Sequence, residues 1–468
     1  MASFVAAEIE IGTGGILIKG SKDEVFSNVS IDTRNLRGGE VFFAIRGPNQ
    51  DGHKFIPDAL AKGAACIVAE QGYEHPGVFP EGRVLIKVTE THQALKNLAL
   101  YARRRWHGTL VAVTGSMGKT TTRAFAAQLM ESAFSVYQTP GNYNNLFGLP
   151  LALFGLGPEH EFGIFEMGMS ALGEIAEMCR IAEPSIGIIT NVAPAHLEFF
   201  SSIQEIARAK GELAEALPPG GALIYNGDDT LVRNIAARFN GTKISFGIED
   251  EAKIRADRIE ITGLHETSFR ILCDGAAMPA KIPIAGAHYV MNALAAAALA
   301  HMHGIAWPVI IEGIAKLEQA TMRGQMLQFK EGMTVIDDSY NSNPQALMRM
   351  MDVVAGIPNF SRRIVIAGEM KELGISADSL HYECGAYAAN YGLDMVIGIQ
   401  GAAREIARAF QDFKPGAQAC FFDRAEDALD FVDRELHSGD LVLVKGSRSV
   451  RMEKIVKHLR ETRSILNE

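Results

Sequence analysis

The chain has 468 residues, 47% hydrophobic and 21% charged, with 46 Gly and 17 Pro. This supports two to four globular domains and excludes a disordered or collagen-like polymer. The formal net charge of −10 argues against a general nucleic-acid binder, which presents a basic face.

Five cysteines, Cys66, Cys179, Cys273, Cys384 and Cys420, are scattered without a CxxC pair. That pattern fits a reducing cytoplasm and argues against a structural zinc site. The opening MASFVAAEIEIGTGG lacks a basic segment followed by an apolar one, so no signal peptide is read. The longest apolar stretch, 290–300, is Ala-rich, interrupted by Asn292 and too short to span a bilayer, so a protein not integral to a membrane is expected.

Residues 1–106 read as short strands and turns with a helix or two. A strand over 41–45 leads to the turn Gly47-Pro48-Asn49, then a helix over 55–62 and a strand over 64–69. Helical periodicity over 95–106 ends at His107-Gly108, and the run Arg103-Arg104-Arg105 reads as a solvated helix end. From Thr109 the pattern becomes strand, Gly-rich turn, helix, with apolar runs at 110–113, 162–166 and 186–191 and a helix over 120–131. Such runs are the mark of buried parallel strands, whose carboxyl ends carry ligands in open α/β sheets. A second change falls at 320–323, after which strands are expected at 333–337, 363–367, 395–399 and 441–444. The fold expected is α/β in three domains, 1–106, 107–321 and 322–468, the central one with a mostly parallel sheet.

The strongest local signal is Thr114-Gly115-Ser116-Met117-Gly118-Lys119-Thr120-Thr121, between strand and helix. Backbone N–H groups there can cradle phosphates at a helix N-terminus, with Lys119 on the outer phosphates and Thr120 on Mg²⁺. Gly-Lys-[Ser/Thr] alone would occur by chance in roughly one chain in five of this length, so the flanking strand and helix carry the argument against an ordinary turn. Val113 stands where the general P-loop has its first Gly, so the loop is a shortened version.

Glu166 closes one apolar run, and Asn191 to His196 follow the next. Singly, each is more often structural; beside a phosphate loop, a carboxylate and an imidazole can hold Mg²⁺ shared with a nucleotide. Lys210, late in a helical segment, reads on sequence physics as a solvated lysine. Gly141-Asn142-Tyr143-Asn144-Asn145 is either turn chemistry or a set of hydrogen-bonding groups for a polar ligand.

Together these pieces resemble, nearly end to end, the Mur ligase family, the ATP-dependent ligases that build the peptide stem of peptidoglycan. The resemblance implies that Gly115, Ser116, Gly118, Lys119, Thr120 and Thr121 bind ATP, with Met117 departing from the usual Asn, Ser or Thr. It implies that Glu166 and His196 join Thr120 as magnesium ligands, and that Lys210 is the lysine these enzymes commonly carbamoylate, so that it also serves the metal. Lys119, Lys210, His196 and Glu166 are thus the expected catalytic set. His288 and Asn292 match a nucleotide-contacting motif in which Tyr289 replaces an Asn. Arg323 falls where the family directs an Arg at the γ-phosphate, and Asp338 where it contacts the ATP ribose.

The runs 141–150, 366–374 and 445–454 resemble the family member that adds D-alanyl-D-alanine. The last domain lacks the Asp-Asn-Pro motif of the ligase that acts before it. Ser30, Arg34, Asp51 and His53 lie in segments resembling the module that holds the UDP-sugar end of the substrate. Asn142, Asn144, Asn145, Asn341, Lys445, Ser447 and Arg448 are the further substrate contacts expected. The resemblance thus implies a cytoplasmic, monomeric enzyme using ATP and Mg²⁺ to join UDP-N-acetylmuramoyl-tripeptide to D-alanyl-D-alanine, with a UDP-sugar domain, a central ATP domain and a Rossmann-like last domain. The rival readings are a relative that adds a different amine, including folate polyglutamylating enzymes, and a P-loop kinase or nucleotide switch.

Overall fold

The computed structural model describes residues 3–47, 50–194, 198–249 and 251–466. Part of the turn at Pro48-Asn49, and His196, lie outside the described residues.

Three large sheets organise the described residues, beside a two-stranded pair of Phe4–Val5 with Val25–Phe26. The first has the strand order Ile16–Lys19, Val84–Val88, Cys66–Glu70, Val41–Phe43, Val29–Ser30, and is parallel except for its first pair. Val41, Phe43, Cys66 and Val68 pack into one apolar cluster with Leu95 and Leu98 of the helix Thr91–Arg105. Phe42, Ala44, Ile67 and Ala69 pack into another, with Ile56 and Ala59 of the helix Ile56–Ala61. Both faces are covered, so alternate residues are equally apolar and the strands read as unbroken runs.

The central sheet has nine strands, in the order Ala276–Ile282, Glu266–Cys273, Ile254–Gly263, Thr242–Gly247, Ala222–Asn226, Ile186–Ile189, Thr109–Thr114, Phe162–Glu166, Val136–Gln138. Pairing is parallel up to Ile254–Gly263 and antiparallel in the two strands beyond it. Of these outer strands Glu266–Cys273 alternates half-buried and buried residues, because only one face is covered, and Ala276–Ile282 is largely exposed. The apolar stretch 290–300 is the middle of the helix Ala287–Met302, and every residue in it except Met291 is buried against the sheet and the helix Lys119–Met130. Among the described residues no helix is long and apolar enough to cross a membrane. The fold also brings Cys273, Asp274 and His301 together, their potential ligand atoms within 4.8 Å of one another, a grouping that cysteine spacing did not reveal.

The third sheet has the order Gln325–Gln328, Thr334–Asp338, Asp440–Lys445, Arg362–Gly368, Met395–Ile399, Gln418–Phe422 and is parallel after its first pair. Asp440–Lys445, last in the chain, inserts between Thr334–Asp338 and Arg362–Gly368. Asp338 and Lys445 therefore finish side by side on the edge that carries Gly368. Asn343 caps the following helix, Pro344–Gly356, by accepting from the Ala346 N–H at 2.8 Å, and Pro344 at its first position needs no N–H partner.

The arginine run is more than a solvated helix end. Arg103 Nε donates to the Ala182 carbonyl at 2.6 Å and its guanidinium lies 5.1 Å from the Trp106 ring centre, while Arg104 pairs with Glu183 at 2.7 Å. With Lys96–Glu177 at 2.5 Å, these bonds dock the helix Thr91–Arg105 on the central unit. The solvated-lysine reading of Lys210 is likewise wrong, for it is 2% exposed on the helix Ile203–Ala216.

Candidate active site

A cleft of about 1410 Å³ runs between the three units, lined by His92 from the first, the 116–121 loop from the second and Arg323, Asp338, Tyr340, Lys371 and Arg448 from the third.

The loop between Thr109–Thr114 and Lys119–Met130 is laced to the end of the neighbouring strand. The Ser116 N–H donates to the Asn191 carbonyl at 3.0 Å, and the Met117 N–H to Asn191 Oδ1 at 2.9 Å. Thr190 Oγ1 donates to the Met117 carbonyl at 2.6 Å. Ser116, which lines the cleft, donates its hydroxyl to the Ala193 carbonyl and accepts from the Ala193 N–H, so the hydroxyl holds the loop. A Cβ at Gly115 would lie 1.8 Å from Thr190 Oγ1, and one at Gly118, where φ is 78°, would lie 2.5 Å from Asn292 Oδ1. Both positions need glycine to let the loop close on its neighbours. The first helical N–H bond runs from Thr122 to Gly118, so the N–H groups of Gly118, Lys119, Thr120 and Thr121 precede the helical ladder, where an anion can be cradled.

Lys119 Nζ donates to the Gly115 carbonyl at 2.7 Å, folded over the loop it serves. Burial lowers its pKa, and the charge of Glu166 partly offsets that. Glu166, 3% exposed at the end of its strand, accepts from Thr120 Oγ1 at 2.8 Å and from Asn144 Nδ2 at 2.7 Å. Thr120 and Glu166 therefore present hard oxygen donors in contact at the helix start, a set that fits magnesium. Lys210 is buried, and desolvation, followed by the charge of Lys119, holds its amine well below the ordinary lysine range.

On the opposing wall, Arg323 stacks on Tyr340, its guanidinium 4.1 Å from the ring centre, and Nη2 reaches Thr120 Oγ1 at 3.4 Å. Arg448 approaches the same ring at 5.8 Å. Tyr289, the residue out of pattern, donates its hydroxyl to the Arg323 carbonyl at 2.8 Å and so supports the arginine. His288 lines the cleft, with its pKa brought down to about 3 by burial and by the charges of Arg349 and Lys445. The Asn292 carboxamide accepts from Thr122 Oγ1 at 3.1 Å. Asn142 and Asn341 line the cleft.

Asn145, Lys445 and Ser447 also line the cleft, and each is bonded within the protein as well. Lys445 is 4% exposed, pairs with Asp338 at 2.5 Å and donates to the Asn341 carbonyl at 2.9 Å; it holds the strand ends together. Ser447 Oγ accepts from the Lys371 N–H at 2.9 Å. Asn145 Oδ1 accepts from the Phe147 and Gly148 N–H groups, which is turn chemistry. In the first unit, His53 Nε2 accepts from the Glu70 N–H at 3.0 Å while Nδ1–H meets Asp51 at 2.6 Å, so both ring nitrogens are used within the protein. Ser30 and Arg34 both bond to Asp32. Ser30, Arg34, Asp51 and His53 do not line the central cleft.

Sequence reasoning passed over His92, stacked on Phe147 with ring centres 4.0 Å apart, and Tyr340, Lys371 and Arg349. Tyr340 lies between Asp338 and Asn341, and Lys371 within the run 366–374, all singled out above, whereas His92 and Arg349 carried no signal. Lys445→Met would leave Asp338 buried without its cation, and a loss of about 3–5 kcal/mol in stability is expected; equilibrium denaturant unfolding measures it.

A glycine loop at a parallel-sheet edge, a carboxylate touching its threonine and a cleft walled by three α/β units define a multidomain enzyme built around a P-loop nucleotide site. Family models match along the chain: Mur ligase family, catalytic domain, over 25–103; Mur ligase middle domain over 113–300; and Mur ligase, glutamate ligase domain, over 322–448. The chain is 34% identical over 440 residues to a UDP-N-acetylmuramoyl-tripeptide--D-alanyl-D-alanine ligase from Synechocystis sp., covering 94% of this chain and 93% of that one. It superposes on MurF from Acinetobacter baumannii with a TM-score of 0.88 at 26% identity, covering 99% and 100% of the two chains. MurF ligase from Thermotoga maritima, in complex with ADP, gives 0.81 at 28% identity over 93% and 97%. The chain belongs to the Mur ligase family.

Proposed function

We propose that this enzyme joins UDP-N-acetylmuramoyl-tripeptide to D-alanyl-D-alanine at the expense of ATP, in the cytoplasm, during synthesis of peptidoglycan precursors. The observation that carries the reading is one cleft in which Lys119, Thr120 and Glu166 face Arg323 across the unit boundary. The name of the relatives similar along nearly the whole chain supports the choice of substrates. The domain limits proposed are 1–106, 107–321 and 322–468, each enclosing one large sheet.

A carboxylate is a poor acylating agent at neutral pH, because its leaving group would be oxide. In the proposed reaction the tripeptide carboxylate attacks the γ-phosphorus of ATP, forming an acyl phosphate and releasing ADP. The dipeptide amine then attacks the acyl carbon, the C–N bond forms, phosphate leaves with the C–O bond and the amine gives up a proton. The protein positions the reactants and offsets charge. The N–H groups of residues 118–121 hold the phosphates, Lys119 swings from its loop carbonyl to the outer phosphates, and Arg323 approaches the γ-phosphate from the other wall. Thr120 and Glu166 would hold a magnesium ion, which supplies further neutralisation of phosphate charge; His196 and a carbamoylated Lys210 complete the proposed metal set. Closure of the three units on the substrates would exclude the water that hydrolyses an acyl phosphate.

Phosphate release by the purified protein is expected to require ATP, the UDP-linked tripeptide and D-alanyl-D-alanine together. A kinase or nucleotide switch gives no dependence on the dipeptide, and dipeptide-independent release at full rate would refute the ligase reading.

A further inference from the structure

Arg123 lies one turn beyond Lys119 on the helix Lys119–Met130 and belongs to none of the motifs above. Residues four apart share a helix face, so Arg123 sits directly behind the lysine of the phosphate loop. It is 7% exposed and does not line the cleft. No carboxylate forms an ion pair with it among the described residues, and its Nε is buried without a hydrogen-bond partner there. Burial weakens its hold on its proton, and the nearby charge of Glu166 compensates. A cation buried this way is costly unless hydrogen bonds or a nearby opposite charge offset its desolvation.

Those bonds go to one segment. Arg123 Nη1 donates to the Thr139 carbonyl and, at 3.4 Å, to the Gly141 carbonyl. Thr139 follows the strand Val136–Gln138, and its hydroxyl accepts from the Glu166 N–H at 3.1 Å. Three residues past Gly141, Asn144 Nδ2 reaches the Glu166 carboxylate at 2.7 Å. The guanidinium therefore spans the two carbonyls from which the asparagine loop departs. Both bonds leave one nitrogen, Nη1, held on a planar group that a lysine's more flexible stem positions less firmly.

We infer that Arg123 is a positioning residue that acts through the Thr139 and Gly141 carbonyls to set the 139–145 loop, and with it Asn144 and Glu166, against the phosphate loop. The catalytic part of the inference rests on the ligase reading above; the placement of the loop does not. The phosphate loop itself is held independently by Thr190, Asn191 and Ala193.

Arg123→Met in the full-length protein keeps much of the buried stem and removes the desolvation cost of the cation, which offsets part of what the lost hydrogen bonds contributed. Amide hydrogen exchange is expected to quicken at 140–145 and stay unchanged at 115–122. In the ligation assay kcat should fall on the order of tenfold to hundredfold, as small misplacements of reacting groups do, with KM for ATP nearly unchanged. Arg123→Lys should recover part of kcat by reaching one carbonyl. Wild-type exchange at 140–145 together with wild-type kcat in Arg123→Met overturns the inference. If that variant does not fold, Arg123→Lys decides in the same way: slower turnover with faster loop exchange supports it, and wild-type values of both overturn it. Absence of dipeptide-dependent phosphate release in the unmutated enzyme would remove the ligase reading and leave the exchange result standing on its own.

Discussion

Lys119→Ala is expected to lower ligation on the order of hundredfold or more while the protein remains folded. The loop supplies only backbone dipoles to the phosphates, and Lys119 is the full charge placed among them, on the first turn of the helix. Its structural bonds are few: one at 2.7 Å to the Gly115 carbonyl and a longer one at 3.4 Å to that of Ser116. Hydrogen bonds from a charged donor contribute about 1.5–3 kcal/mol each, and removing a half-buried cation recovers part of that. The bonds from Thr190, Asn191 and Ala193 keep the loop in place without the lysine. Loss of rate should therefore far exceed loss of stability. Steady-state ligation and thermal unfolding of the same preparation check this, and near-normal turnover by folded Lys119→Ala would sink the proposed site.

Lys210→Ala is expected to lose most activity and to recover part of it with added short carboxylic acids. The amine is enclosed on the helix Ile203–Ala216, where desolvation, reinforced by the charge of Lys119, favours its neutral form. No carboxylate pairs with it among the described residues. A neutral amine is the form that attacks CO₂: the N–C bond forms, one proton leaves, and a carbamate anion replaces a site that would otherwise repel a metal. The alternative is a lysine buried for packing alone, since its four-carbon stem fills space as Met would. Lys210→Met separates the two. It keeps the stem and should fold, so a packing role predicts full activity and a carbamate role predicts little. Labelled CO₂ gives a second readout, a carbamate carbon signal in the unmutated protein that both variants lack. Full activity in Lys210→Met would falsify the carbamate assignment.

Local features were legible without coordinates. The runs Phe162–Glu166 and Met395–Ile399 form strands over the lengths expected, because a strand covered on both faces cannot alternate and shows as an apolar block. The phosphate loop was legible because strand, glycine turn and helix start are contiguous, and Glu166 because a strand end places its last residue on the ligand edge. The outer strands 254–282 were not read, since one bare face replaces the apolar block with a mild alternation interrupted by irregular pairing. Lys210 showed only a helical segment; its burial arises when that helix packs on the sheet, which no local pattern encodes. Lys445 was expected at a substrate through the family resemblance of the run around it, and it does line the cleft. What the sequence did not show is that strand insertion seats it beside Asp338, 107 residues away, where a buried carboxylate needs a cation. His53 likewise finds Asp51 nearby and the Glu70 N–H across the sheet. The sequence by itself determined the elements, the phosphate loop and the family resemblance, because each rests on residues close along the chain. Which charges face the cleft and which are consumed within the protein was decided by tertiary structure, because register and packing join groups far apart in sequence and desolvate them together.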